Sequence, residues 1–95
     1  MFFIKGTYIK PIEEVDNVLP AHYEFLEKYF AQKKFVLAGR RVPRNGGIIL
    51  CNAKDQKEVE EILKEDVFYE KNIMQYEIIE FTPTKYLDEL KGLMG

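Results

Sequence analysis

His22 is the only histidine among 95 residues, and its spacing puts it where a polar side chain needs a reason to be. Leu19 precedes it by three residues, Phe25 and Leu26 follow by three and four, and Tyr29 lies one turn beyond. The imidazole therefore shares the apolar stripe of an amphipathic helix. Asp66 takes a similar place on a second helix, four residues after Ile62 on the stripe that also carries Val59 and Leu63. A carboxylate that accepts the proton of one imidazole nitrogen sets the tautomer, raises the basicity of the other nitrogen and stabilises the imidazolium. These are the requirements of a general base. The same pair also serves as plain structure, each buried polar group satisfying the other.

Arg40, Arg41 and Arg44 crowd the end of a strand and the hairpin after it, where a guanidinium can hold a carboxylate or another anion. Alternation sends Arg40 and Arg41 to opposite faces, so one of them at most enters a given pocket; Arg41 is the candidate ligand contact, with solvated hairpin charges as the plain alternative. Gly39 beside them leaves room for a ligand to approach, and the Tyr8 hydroxyl is placed to polarise a substrate oxygen. His22 and Asp66 are thus the candidate catalytic residues, with Arg41, Gly39 and Tyr8 as candidate ligand contacts.

Composition excludes several classes. Fourteen basic against sixteen acidic residues give a net charge of -2, which argues against a nucleic-acid partner. One cysteine, Cys51, permits neither an internal disulfide nor a zinc cluster, and its strand-like setting suits a small buried apolar residue in a reducing compartment. No segment approaches the ~18 apolar residues of a membrane span, and the N-terminal Met1-Phe2-Phe3-Ile4 run is too short for a signal peptide. A cytoplasmic protein is the expectation. There is no glycine-rich phosphate loop and no nucleophile elbow, so neither a cofactor nor a metal ion is expected. Haem would need His22 as its axial ligand, and the chain has no tryptophan of the haem-degrading pattern.

The elements that must carry these residues follow from periodicity. Phe2 to Ile9 alternates as a first strand. A helix capped by Asp16 or Asn17 is expected to run to about Lys33, with Pro20 in its first turn. Val36 to Val42 and Gly47 to Ala53 form a hairpin across Pro43-Arg44-Asn45-Gly46, where Asn-Gly favours the positive backbone angles of a tight turn. Asp55 caps a second helix, with Glu58 in capping-box position. Ile73 to Phe81 is the last strand, and Thr84 caps a short C-terminal helix.

The order strand, helix, strand, strand, helix, strand predicts an α+β fold of the ferredoxin-like β-α-β-β-α-β type in one domain over residues 1–95. A four-stranded antiparallel sheet would carry two helices on one face. The strands nevertheless present apolar groups on both faces, as Ile48 and Leu50 alternate with Ile49 and Cys51. A second copy of the sheet is the economical cover, which predicts a homodimer through the open sheet face.

The segment Pro20-Ala21-His22-Tyr23-Glu24-Phe25-Leu26 followed by Phe35-Val36-Leu37-Ala38-Gly39 resembles the YCII-related (YciI-like) family, with its His-x-x-x-Leu helix and its strand ending in Ala-Gly. Glu65-Asp66-Val67-Phe68 before Ile73 stands at the family's Asp-Pro-aromatic motif, Val67 replacing the proline. Arg40 stands where a proline commonly follows Ala-Gly. The resemblance implies a dimeric α/β barrel and a His22–Asp66 active-site dyad. It predicts cofactor-free proton transfer or elimination, of lyase or isomerase type, on a small cyclic or aromatic anion. The alternative is a noncatalytic dimeric ligand-binding or regulatory module.

Overall fold

The computed structural model describes residues 1–94. Strand β1 (Phe2–Tyr8) leads into helix α1 (Ile12–Ala31), then β2 (Phe35–Arg40) and β3 (Gly46–Cys51). Helix α2 (Gln56–Leu63), a four-residue helix α3 (Val67–Glu70) and β4 (Met74–Glu80) come next. A 3-10 turn at Asp88–Leu90 runs into α4 (Lys91–Met94), with Leu87 rather than Thr84 at its cap. The four strands form one sheet in the order β2-β3-β1-β4, every neighbouring pair antiparallel. This is the ferredoxin-like α+β architecture that the element order predicts.

Alternation along β1 makes the sheet two-faced. Phe2 and Ile4 are buried with Phe25 and Tyr29 of α1 and with Val59 and Ile62 of α2, so both long helices lie on one face. Beside this main core, Val15, Phe68, Ile73 and Met74 form a second buried cluster where α1 meets α3 and β4. On the opposite face, Leu37, Leu50, Phe3 and Ile79 pair in one row across all four strands. Leu37 and Ile79 remain about half exposed, at 52% and 47%. Farther along that face the rows become polar, with Lys5 opposite Glu77 and Thr7 opposite Gln75.

Three local expectations are corrected. Helix α1 begins at Ile12 behind Pro11, a full turn before Asp16 and Asn17, which places Pro20 inside the helix. A proline there removes the donor for the Asp16 carbonyl. Both residues are exposed, so water reaches the side of the helix where that bond is lost. The helix stops where Lys33 takes a left-handed φ of 59°. In the hairpin, Asn45-Gly46 does not take positive angles; the chain turns more widely, with Arg41 N–H donating to the Gly46 carbonyl and Asn45 N–H to that of Pro43. Gly46 is already the first residue of β3, paired with Thr7, so it is extended strand rather than the centre of a turn. Asp55 does cap α2, accepting the Glu58 N–H at 2.9 Å, but α2 ends at Leu63, so Asp66 is not on its stripe.

Candidate functional site

Asp66 is instead the N-cap of α3, and this brings it to the histidine. Its backbone is extended, and Oδ1 accepts the Phe68 N–H at 3.1 Å, as capping aspartates do. The same oxygen accepts from His22 Nδ1 at 2.9 Å, and Oδ2 accepts from the Tyr76 hydroxyl at 2.7 Å. Asp66 has no solvent exposure, so these three donors replace its hydration. Burial first, and then the Asp66 charge and the hydrogen bond to it, push the Tyr76 hydroxyl far up, so that it stays protonated and donating.

With Nδ1 turned to the carboxylate, Nε2 is the ring nitrogen left for other partners. Phe68, the residue whose N–H is capped, stacks on the imidazole with centroids 4.0 Å apart and planes 13° from parallel. One short turn therefore holds the histidine twice, by the carboxylate at its edge and the phenyl ring on its face. The side chain keeps 14% of its surface exposed, so the ring is neither sealed into the core nor free in water.

That exposure opens on a cavity of about 240 Å³ between α1 and the sheet, lined by His22 and Asp66. Its walls are largely apolar, including Leu19, Leu26, Ile49 and Met74. Its floor is made by glycine. Gly6 of β1 and Gly47 of β3 are paired on the helix-bearing face, where their neighbours Ile4 and Ile49 present side chains. At Gly47 an added Cβ would meet only the Gly39 carbonyl oxygen, at 3.1 Å. At Gly6 it would run into the Met74 sulfur at 2.1 Å, so Met74 leans over that part of the floor.

Of the other residues singled out in the sequence, Tyr8 lines the cavity and meets Phe68 edge to face at 5.9 Å. Gly39 lines it as well through its backbone, but it pairs with Ile48 in the row of Lys5 and Glu77, so a side chain there would point to the opposite face. Arg41 is turned to another use: its guanidinium donates to Thr7 Oγ1 at 2.8 Å and to the Gly6 carbonyl at 3.3 Å. The arginines at the cavity are Arg40 and Arg44, and Arg44 is paired with Asp16 of α1 at 2.5 Å. Cys51 is buried, its thiol pushed up to about 11 by that burial, which makes it a poor nucleophile. Among the described residues no group of three His, Cys, Asp or Glu side chains is placed to hold a metal ion, and no helix is long and apolar enough to cross a membrane.

Tyr76 and Phe68 complete the surroundings of the pair, in contacts that the sequence reading does not assign to them. Tyr76 alternates in phase with Ile78 and Met74, which is signal enough to put it on the helix-bearing face. Phe68 stands two residues after Asp66 as the aromatic of the Asp-Pro-aromatic resemblance, which does not show that its ring lies on the imidazole.

A family model described as YCII-related domain matches residues 1–82. No curated protein matches the chain by sequence. Among solved structures, the chain is similar to 5-chloro-2-hydroxyhydroquinone dehydrochlorinase (TftG) from Burkholderia phenoliruptrix AC1100, in complex with 2,5-dihydroxybenzoquinone. The TM-score is 0.72 at 17% identity, over 85% of this chain and 93% of the other, which is a likeness of fold.

Proposed function

The chain belongs to the YCII-related domain family, and from that premise we propose that it is a small enzyme performing cofactor-free proton transfer or elimination on a ring-sized anionic molecule, with His22 as general base and Asp66 as its orienting partner. One observation carries the reading: the imidazole is held by a fully buried carboxylate through Nδ1, while the ring faces a mostly apolar cavity. A structural His–Asp pair has no need of the hollow. At about 240 Å³ the cavity lies below the usual ~300–1,000 Å³ of ligand pockets, which suits a single six-membered ring better than a nucleotide or a peptide. The neighbour of like fold holds a single-ring ligand, 2,5-dihydroxybenzoquinone.

In the proposed reaction, Nε2 takes a proton from an acidic C–H or O–H of the bound ring. The electron pair left behind moves into the conjugated system. In an isomerisation the same proton returns at another carbon; in an elimination the pair expels a leaving group as its anion. Asp66 stabilises the imidazolium formed in the first step without accepting its proton, a contribution of roughly 10²–10⁴ in rate for a positioned base. Phe68 keeps the ring from turning away between the two proton transfers.

The working unit in this reading is a homodimer. The apolar row Leu37, Leu50, Phe3 and Ile79 is a continuous strip on the face that the helices leave bare, and a second sheet laid on it would remove that strip from water. Leu37→Glu combined with Ile79→Glu is expected to give a monomer by analytical ultracentrifugation; a dimer that survives both charges would remove the open face as its interface.

His22→Ala tests the chemistry. The variant is expected to fold with the oligomeric state of the parent and to lose turnover of halogenated or hydroxylated ring substrates. Unchanged turnover removes His22 from the mechanism, and ring binding without turnover by the parent protein identifies a binding module instead.

A further inference from the structure

Three arginines stand near the cavity mouth, and one of them lines the cavity with no partner among the described residues. Arg44 is held by Asp16, and Arg41 is spent on Thr7 and the Gly6 carbonyl. Arg40 has no side-chain hydrogen bond or ion pair among the described residues, and it lines the cavity. Its placement follows from register. Arg40 is paired with Gly47, Gly47 with Gly6 and Gly6 with Tyr76, so these four form one row across the helix-bearing face. Tyr76 holds Asp66, which holds His22. The row therefore has a cation at one end, the dyad above the other, and two residues without side chains between them.

From that row we infer that Arg40 is the ligand's charge-selecting contact, and that the cavity takes a planar ring carrying one anionic group, with the anion at Arg40, the ring over Gly47 and against the Met74 sulfur that covers Gly6, and the reacting edge at His22. The inference rests on the proposed acid-base function and adds the residue that selects the charge and the orientation of the ring.

Dimensions support it. Strands lie ~4.8 Å apart, so the backbone of Arg40 is roughly 10 Å from that of Gly6. A guanidinium reaching inward over part of that distance leaves the width of one ring with its acid group. The Met74 sulfur leaning over Gly6 and the largely apolar walls suit the flat face of such a ring. Charge sets the count. One anionic group matches Arg40, whereas a second would have to take Arg44 from Asp16. A bidentate guanidinium also fixes the direction of a planar carboxylate, which a flexible ammonium would not do.

Salicylate and salicylamide, the same ring with and without the charge, are the probes, with binding followed by calorimetry and by the NMR signals of the His22 ring. Salicylate is expected to bind at His22 more tightly than the amide by roughly tenfold or more, the range of a charge-assisted hydrogen bond. Arg40→Gln should erase that preference, whereas Lys57→Gln, which removes the same charge from exposed α2, should keep it. A preference that survives in Arg40→Gln, or equal or absent binding of both probes in the parent, overturns the assignment. Failure of the catalytic reading looks different. If salicylate is preferred through Arg40 and no ring compound ever turns over, the charge selection stands and the chemistry falls. If His22→Ala abolishes turnover while Arg40→Gln leaves KM for anionic substrates unchanged, the chemistry stands and the role of Arg40 falls.

Discussion

Two neighbouring carboxylates, Glu65 and Asp66, leave the same turn and reach back to the same helix, yet they build different things. Glu65 accepts from Lys28 and from the Tyr29 hydroxyl, each at 2.5 Å, and Asp66 accepts from His22 and the Tyr76 hydroxyl. Each thus joins a basic residue of α1 and a tyrosine. The Lys28–Glu65 pair lies in water, with side chains 53% and 44% exposed, while Asp66 has no exposure. Lys28 and Tyr29 hold the Glu65 carboxyl below the usual range, which is what a solvated ion pair does. The lesson is that partner type alone does not make a site. Burial strengthens the hydrogen bonds to Asp66 and makes their loss costly, and the cavity gives the histidine something to act on.

The largest expected effect separates the two carboxylates directly. Asp66→Ala strips the partner from His22 Nδ1, the Phe68 N–H and the Tyr76 hydroxyl at once, and is expected to lower stability by roughly 3–5 kcal/mol in denaturant unfolding. A loss under ~1 kcal/mol would place Asp66 with Glu65 as a surface group. Tyr76→Phe leaves Oδ2 without its donor and keeps the ring in place. About 1–2 kcal/mol should go, with a shift in the pH profile of any His22-dependent reaction, because the carboxylate that tunes the imidazole has changed. A profile identical to the parent's would make Tyr76 a packing residue only.

Glu65→Gln should change stability least, and its pH dependence has a definite sign. The folded value of Glu65 lies below the ordinary 4.5, so its contribution is fully present above 4.5 and is lost as pH falls through the lowered value. The difference between Glu65→Gln and the parent is expected to be small and constant at neutral pH and to close in acid. A difference that grows on acidification would show that Glu65 is not the stabilised partner of Lys28.

The pairing of His22 with Asp66 is legible in the sequence because both side chains interrupt apolar runs on segments that pack against one sheet. The route to it differs. Helical spacing from Ile62 leads to Asp66 as one more turn of α2, whereas α2 stops at Leu63 and the aspartate caps the short helix α3. Both routes turn the carboxylate inward, which is why the pair survives the wrong reason. The arginine shows the opposite outcome. Counting by twos from buried Phe35 puts Arg41 on the helix-bearing face, but a register irregularity between Phe35 and Leu37 inserts one residue. Every side chain after it changes face, and Arg40 enters the cavity instead.

From the sequence alone came the order of the elements, the two-faced sheet, the lone histidine on a buried stripe and the likeness to a family, since each depends on periodicity and residue type within a short window. The folded chain decided what depends on distances between segments far apart in sequence. These are the three donors gathered on Asp66, the phenyl ring under His22, the paired glycines of the floor, one open and one under Met74, and which of three arginines lines the cavity without a partner. A hydrogen bond or a hollow exists only when separate elements arrive at one place in one register, and a single inserted residue in β2 was enough to change which side chain arrived.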